Sequence, residues 1–306
     1  MSRIITLTPN PTYDFAVDAP FVEANRKLRC KNPQVHPGGG GINVARAALR
    51  LGAHVTAVLT TGGVYGDAVK ALLAEEKVPF KAITIAGQTR IAFHVRDLAG
   101  DEEYRFNLPG HKLTTAEADT LLAAVIHESR EGDYIIGSGS LPGGGPADFW
   151  ARAAFAAKQN NARFVLDSIN GVQEALDEGI FLLRQNKHEY PALAGRELQW
   201  PEEIMDFAKS LVAQNKAEKV TISHGGDGAI MASKDGVAKV TALPVKAQSA
   251  VGAGDSFVAA VVTAFTLGWS DKDAIGYGIS AAAATRLKSG SALFSADDVE
   301  RLYKEM

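Results

Sequence analysis

The sequence predicts an α/β fold: a doubly wound, mostly parallel sheet with helices on both faces, and a small β-sheet lid. Three observations carry this expectation. Short β-rich apolar runs alternate with segments whose apolar positions recur at helical spacing, which is the pattern of parallel strands joined by crossover helices. The rhythm breaks at 12–36 and 88–107, where polar and apolar residues interleave as on a sheet solvated on one face, which is either a lid or an ordinary surface hairpin. The 306 residues hold no fixed-period repeat, low-complexity tract or Pro/Gly/Ser linker that would part independent domains. One unit over 1–306 is therefore expected, with an α/β core at 1–11, 37–87 and 108–306 and a lid from 12–36 and 88–107.

Ile4 to Leu7 reads as the first buried strand, followed by the extended, polar stretch Thr12 to Val35 with its basic group Arg26, Lys27, Arg29 and Lys31. Helical spacing covers Ile42 to Leu51, and Val55 to Leu59 is again a strand. After the helix Asp67 to Glu76, the runs Gln88 to Arg96 and Glu102 to Asn107 form a hairpin around Ala99-Gly100-Asp101. Thr114 and Glu117 make a capping box, because hydroxyl and carboxylate can satisfy orphan amides at the start of helix Ala116 to Glu131. Strands at Tyr134 to Ile136, Arg163 to Leu166, Phe181 to Arg184 and Val220 to Ile222 alternate with helices at Ala147 to Gln159 and Pro201 to Gln214. Two apolar, alanine-rich helices, Asp255 to Gly268 and Asp271 to Leu287, then pack against the sheet.

Composition excludes several function classes. Hydrophobic residues at 46% and charged residues at 22% rule out a disordered or collagen-like chain. The net charge of -3, from 32 basic and 35 acidic side chains, offers no excess to neutralise a nucleic-acid backbone. Cys30 is the single cysteine, so no internal disulfide or cysteine-based zinc site can form. The N-terminal apolar run is too short for a signal peptide, and no stretch approaches the ~20 apolar residues of a membrane span. A cytoplasmic protein without nucleic-acid or membrane partners is expected.

Glycine clusters mark the chemistry. Pro37-Gly38-Gly39-Gly40-Gly41 feeds into Ile42-Asn43, so backbone there either approaches a ligand or makes an irregular turn. Ser249-Ala250-Val251-Gly252-Ala253-Gly254-Asp255-Ser256 opens an apolar helix, whose free amides and dipole attract anions. Asp255 is then either a helix cap or a base that takes a proton from an alcohol while the amides stabilise a transferring phosphoryl group. Asn186-Lys187-His188-Glu189 places an amide and a carboxylate three apart, a pair suited to magnesium through waters. Ser223-His224-Gly225-Gly226-Asp227-Gly228 is either a plain hairpin turn or a nucleotide-contacting loop. The chain lacks the P-loop, the G-x-G-x-x-G fingerprint, the H-E-x-x-H zinc helix and the G-x-S-x-G elbow.

In this order the motifs resemble the ribokinase-like PfkB family of sugar kinases, along the whole chain. Within it, Lys27 to Cys30, Pro37 to Arg46, Tyr104 to Phe106 and Ser138 to Pro142 are most similar to the minor 6-phosphofructokinase branch. The resemblance implies transfer of the ATP γ-phosphoryl group to O1 of fructose 6-phosphate. It implies Asp255 as base, with Gly252, Ala253 and Gly254 forming the anion hole. Asn186 and Glu189 would position Mg²⁺ with ATP, and Lys187, Ser223, Gly225 and Gly228 would lie along the nucleotide. Asp14, Gly38, Gly39, Asn43 and Ser138 would bind the sugar, and Lys27, Arg29, Arg90 and Arg105 its phosphate. Family members form dimers, so a homodimer through the lid is expected.

Two departures bear on these expectations. Relatives carry Lys-Pro-Asn where this chain has Arg184-Gln185-Asn186. Many also bind K⁺ beside the anion hole. Lys288 falls in the loop that would contribute: it either points into solvent beyond the helix end, where a cation complements the dipole, or places an ammonium there that supplies the same unit charge and makes activity independent of potassium. The alternative substrates are tagatose 6-phosphate and fructose 1-phosphate, although Gly40 stands where the 1-phosphate branch tends to have lysine. A sugar-phosphate-binding protein without catalysis, and an oxidoreductase on the same scaffold, are the alternatives of other classes.

Overall fold

A computed structural model describes residues 2–306. The chain runs β1 (Ile4–Thr8), β2 (Thr12–Ala19), β3 (Lys31–Gly38), α1 (Gly40–Arg50), β4 (Val55–Thr61), α2 (Gly63–Glu75), β5 (Phe80–Thr84), β6 (Arg90–Asp97), β7 (Glu102–Asn107) and α3 (Thr115–Glu128). It continues β8 (Tyr134–Ser138), α4 (Phe149–Gln159), β9 (Arg163–Asp167), α5 (Val172–Glu178), β10 (Ile180–Asn186), α6 (Tyr190–Ala194), α7 (Glu202–Ala213) and β11 (Ala217–Ser223). After a 3₁₀ turn at Gly225–Asp227 come β12 (Ala229–Ser233), β13 (Gly236–Val240), α8 (Ala253–Thr266), α9 (Asp271–Arg286) and α10 (Ala296–Lys304).

Nine strands form one sheet in the order β13-β12-β11-β10-β9-β8-β1-β4-β5. All neighbours from β11 to β5 pair in parallel, and only β12 and β13 turn back. Parallel strands covered on both faces need apolar side chains in both directions, and the sequence supplies them. Ile4 enters one core with α1, α8 and α9, while Ile5 and Leu7 enter the other with α3, α4 and α7. Val165 and its neighbours Phe164 and Leu166 split in the same way. The order reverses beside β1, which is flanked by β8 and β4, and an open α/β sheet leaves its binding crevice at such a reversal, outside the carboxyl ends of the strands.

Four further strands make the small sheet, in the order β3-β2-β6-β7. β2 and β6 pair in parallel across 78 residues of separation, Thr12 opposite Arg90, while β3 and β7 flank them antiparallel. Alternation turns Asp14, Ala16, Arg90 and Arg105 to one side and Phe15, Phe93 and Phe106 to the other. The first side meets the body: Ser249 Oγ donates to Glu103 Oε1 at 3.1 Å.

The strands and helices expected from periodicity are present, with ends shifted by a few residues. The Thr114–Glu117 capping box closes as expected. The Ser223–Ala229 stretch is a hairpin turn that also lines a cavity. β5, α5, α6, β12, β13 and α10 were not foreseen.

Candidate active site

The carboxyl ends of β8, β9, β10 and β11 bring Ser138, Asp167, Arg184 to Asn186 and Ser223 to one rim, and the start of α8 faces them. Gly252 caps that helix with φ 74°, a left-handed conformation that favours glycine, and supplies no side-chain cap bond. The Ala253 amide bonds back to Ala250 O at 3.4 Å. The amides of Gly254 and Asp255 have no partner among the described residues. The amides left open at this helix start are therefore those of Gly254 and its neighbour Asp255.

Asp255 is a structured carboxylate rather than a cap. Its Oδ2 accepts from Asn43 Nδ2 at 2.9 Å and its Oδ1 from Ser138 Oγ at 3.4 Å. Burial, and then the negative charge of Asp167, push its pKa up to about 7, against the pull of Asn43, Arg184 and Ser138. Asn43 is itself fixed from behind: Arg46 Nη1 donates to its Oδ1 at 3.3 Å, and the fully buried Arg46 is gripped by both oxygens of Glu76, at 2.8 and 2.6 Å. The amide group of Asn43 is thereby turned to donate to Asp255.

Asp167 and Arg184 were not singled out as site residues, and both sit in the centre. Arg184 Nη1 donates to Asp167 Oδ1 at 2.9 Å and lies 3.8 Å from Glu189, while Nη2 donates to Ser223 Oγ at 3.1 Å. Burial disfavours its charge, but Asp167, Glu189 and Asp255 outweigh that and raise its pKa. A Cβ on Gly254 would stand 3.0 Å from both terminal nitrogens of Arg184, so the glycine lets the guanidinium back the anion-binding turn. Gln185 is fixed by two bonds from its buried amide, to Ser168 O at 2.9 Å and Arg184 O at 3.0 Å.

Asn186 and Glu189 close one turn. Glu189 Oε2 accepts from the Asn186 amide at 2.9 Å, and Asn186 Oδ1 accepts from the His188 amide at 2.8 Å. Burial and Asp167 raise the Glu189 pKa against the opposing charge of Arg184. The carboxylates of Asp167, Glu189 and Asp255 thus act on one guanidinium. No group of three or more His, Cys, Asp or Glu among the described residues is placed to ligate a metal directly, so a divalent cation fits at the Asn186–Glu189 turn only if it keeps much of its water shell.

Beside this turn lies a cavity of about 460 Å³ that includes Asn186, Lys187, Ser223, Gly225 and Gly228. Its other wall is apolar, with Leu243, Val245 and Ile279. The Lys187 amide bonds Ser223 O at 3.0 Å. Gly228 has φ 107°, and a Cβ there would fall 2.0 Å from Val240 O, so no other residue fits. His224 stacks on Trp200 with centroids 4.7 Å apart and holds Asp227 at 2.8 Å.

On the other side of Asp255, the structure gathers part of the expected sugar-side set. Asp14 is buried with an unpartnered Oδ1, and burial raises its pKa to about 6 against the charge of Arg90. Gly38 makes room for it, since a Cβ would fall 2.2 Å from Asp14 Oδ2. Gly39, at φ 107°, packs on Thr8. Arg90 Nη2 reaches Asn10 O at 3.5 Å and its buried Nε is unpartnered. Arg105 is paired to Glu103, whose other oxygen takes the Ser249 bond. Lys27 and Arg29 are not brought to this cluster: they are exposed on the β2–β3 connection, without a hydrogen bond or ion pair among the described residues.

Lys288 corrects an expectation. Its ammonium does not serve the oxygens beside Gly252; it pairs with Asp298 Oδ2 at 2.8 Å, at the start of α10. That carboxylate also caps α10 through Ser295, which fixes the lysine away from the turn.

The chain matches the model of the pfkB family carbohydrate kinases over residues 10–298. It is 37% identical over 302 residues to the ATP-dependent 6-phosphofructokinase isozyme 2 of Mycobacterium tuberculosis strain H37Rv, covering 99% of this chain and 89% of that protein. It is 37% identical over 305 residues to the enzyme of the same name from Escherichia coli K12, covering 99% and 98%. A structure of E. coli phosphofructokinase-2 with substrates and products superposes with a TM-score of 0.94, at 37% identity and 99% coverage of both chains. The same protein has been solved with potassium (TM-score 0.95, 37% identity, 100% and 99% coverage) and as a tetrameric inhibited form (TM-score 0.92, 36% identity, 100% and 99% coverage). With the glycine-framed helix start, the Asn186–Glu189 turn and the two-sheet architecture all in the family's order, this chain belongs to the pfkB family of carbohydrate kinases.

Proposed function

We propose that this chain is an ATP-dependent 6-phosphofructokinase, which phosphorylates fructose 6-phosphate at O1 to give fructose 1,6-bisphosphate. The observation that carries this reading is Asp255: a carboxylate held by Asn43 and Ser138, with a pKa near neutrality, beside two open helix amides and between a nucleotide-sized cavity and a cationic sugar side. Asp255 accepts the O1 proton as O1 bonds to the γ-phosphorus and the bond to the ADP oxygen breaks. The Gly254 and Asp255 amides, backed by Arg184, hold the charge on the transferring group.

Asp14, Gly38, Gly39, Asn43 and Ser138 support the sugar hydroxyls. Arg90 and Arg105 support the 6-phosphate, for which guanidinium forks suit paired oxygens; Lys27 and Arg29 complete the set once the β2–β3 connection turns inward. For Arg105 the phosphate exchanges with Glu103. Lys187, Ser223, Gly225 and Gly228 lie along the nucleotide, and Asn186 with Glu189 would hold Mg²⁺ through waters, which would supply neutralisation of the phosphate oxygens.

Potassium belongs to this reading as well. Gln248 N is bonded to Arg286 O at 2.7 Å, which ties the segment before Gly252 to the loop that carries a buried, unpartnered Ser291 hydroxyl. An orphan oxygen in that position suits a monovalent cation, and Lys288 is engaged elsewhere. The far face of the lid stacks Phe15 on Phe93 at 5.6 Å and leaves Phe106 53% exposed. A second copy of the chain covers that face in our reading. No helix among the described residues is long and apolar enough to cross a membrane.

Three outcomes are expected. In an ADP-release assay across fructose 6-phosphate, tagatose 6-phosphate, fructose 1-phosphate, fructose and ribose, fructose 6-phosphate gives the highest kcat/KM; a winning unphosphorylated sugar or 1-phosphate contradicts the reading. Because Asp255 must be ionised to take a proton, and its pKa is raised to about 7, log(kcat/KM) should be level above that pH and fall with unit slope below it. A profile flat from pH 8 to 6 would remove Asp255 as the base. Replacing potassium by tetramethylammonium at equal ionic strength should lower activity severalfold in the wild type and in Lys288→Asn alike, whereas equal rates in both salts would exclude a potassium site.

A further inference from the structure

A second cavity, of about 420 Å³, opens at the end of the large sheet opposite to Asp255, where β9, β10 and β11 begin and β12 ends. Its floor is apolar, built from Phe164, Ile180, Phe181 and Val212. Its rim carries Lys158, Arg163, Lys219 and Lys234 against one lining carboxylate, Glu218. Lys219 is neutralised by Asp271 at 2.6 Å. Counting both acids, four cations face two carboxylates, so the rim keeps two net positive charges on a chain whose own net charge is -3.

The cations are placed for a ligand rather than for each other. The Arg163 guanidinium is held over the rings of Tyr134, at 5.0 Å, and Phe181, at 5.7 Å, donates to Gly132 O at 3.2 Å and interacts with the Tyr134 hydroxyl. It has no ion pair among the described residues. Lys158 bonds the carbonyl of Glu178 and has no ion pair among the described residues. Lys234 sits exposed on the β12–β13 turn and has no ion pair among the described residues. Volumes of a few hundred Å³ with an apolar floor and a few convergent polar groups are those of small-molecule sites. The guanidinium fork and two net charges suit a phosphate dianion.

We propose that this cavity is a second ligand site, which takes a small organic phosphate whose apolar or aromatic body lies on the apolar floor. It is separate from the phosphoryl-transfer site: β9 runs from Arg163 at the cavity to Asp167 at the site, a strand about 15 Å long.

Phenyl phosphate is the probe, followed by ligand-observed NMR on the full chain with the active site filled by fructose 6-phosphate and a non-hydrolysable ATP analogue. Saturable binding is expected in the wild type. It should be at least tenfold weaker in Arg163→Gln/Lys234→Gln, and weaker also in Lys234→Glu, which leaves the stacked arginine in place, while kcat without probe is unchanged in both. Inorganic phosphate, which lacks the body, should bind at least tenfold more weakly than phenyl phosphate. The proposal is overturned if filling the active site abolishes the signal, if the variants bind as the wild type does, or if inorganic phosphate binds equally well.

Discussion

Arg184 lies at the end of β10 with its guanidinium 2.9 Å from Asp167 and 3.8 Å from Glu189, and in the field of Asp255 as well; the rest of the site depends on that charge balance. A single buried cation cannot satisfy three carboxylates, and a buried charge without its partner costs several kcal/mol. Burial, and then the charge of Asp167, raise the pKa values of Glu189 and Asp255, and the one guanidinium offsets this only in part. For Asp255, moving from the ordinary 3.8 to about 7 corresponds to about 4 kcal/mol against the charged form. The carboxylate is thereby brought near the pH at which a base both exists ionised and accepts a proton readily. A lysine in place of Arg184 would bring the same charge but not the fork that spans Asp167 and Ser223 at once.

Backbone constraint does the complementary work. Gly254 admits Arg184 behind the helix start, Gly38 admits Asp14, and Gly228 passes beside Val240 O, each at a distance a side chain would close. On α1, Asn43, Arg46 and Arg50 fall on one face at helical spacing, and the first two form the chain of contacts from Glu76 to Asp255. Charge and glycine placement together turn one end of a common α/β sheet into a site with two sides that meet at Asp255, the sides to which we assign nucleotide and sugar.

Much of this was legible in the sequence because it is local. The strand–helix alternation gave the large sheet, the polar interleaving gave the small one, and glycine clusters at helix starts marked both ends of the site. Asp167 and Arg184 escaped because each is one residue in an ordinary apolar strand, and their pairing is a contact across 17 positions. The position of each at the carboxyl end of an expected strand was the available signal. Arg46 could have been found as the charged residue three after Asn43 and four before Arg50, in a helix otherwise built of Gly, Ile, Val, Ala and Leu. β5 and α5 are short, at five and seven residues, and carry weak periodicity. The Lys288 expectation failed because Asp298, ten residues on, lay beyond the motif being read.

The central claim is that Asp255 removes the proton from the attacking hydroxyl rather than capping α8. Asp255→Asn keeps the size of the side chain and the bonds to Asn43 and Ser138 within reach of one amide flip, and removes only the basicity. The account requires kcat of the folded variant to fall by about 10²-fold or more, with ATP and fructose 6-phosphate binding retained in calorimetry. Near-normal turnover in that variant would contradict it.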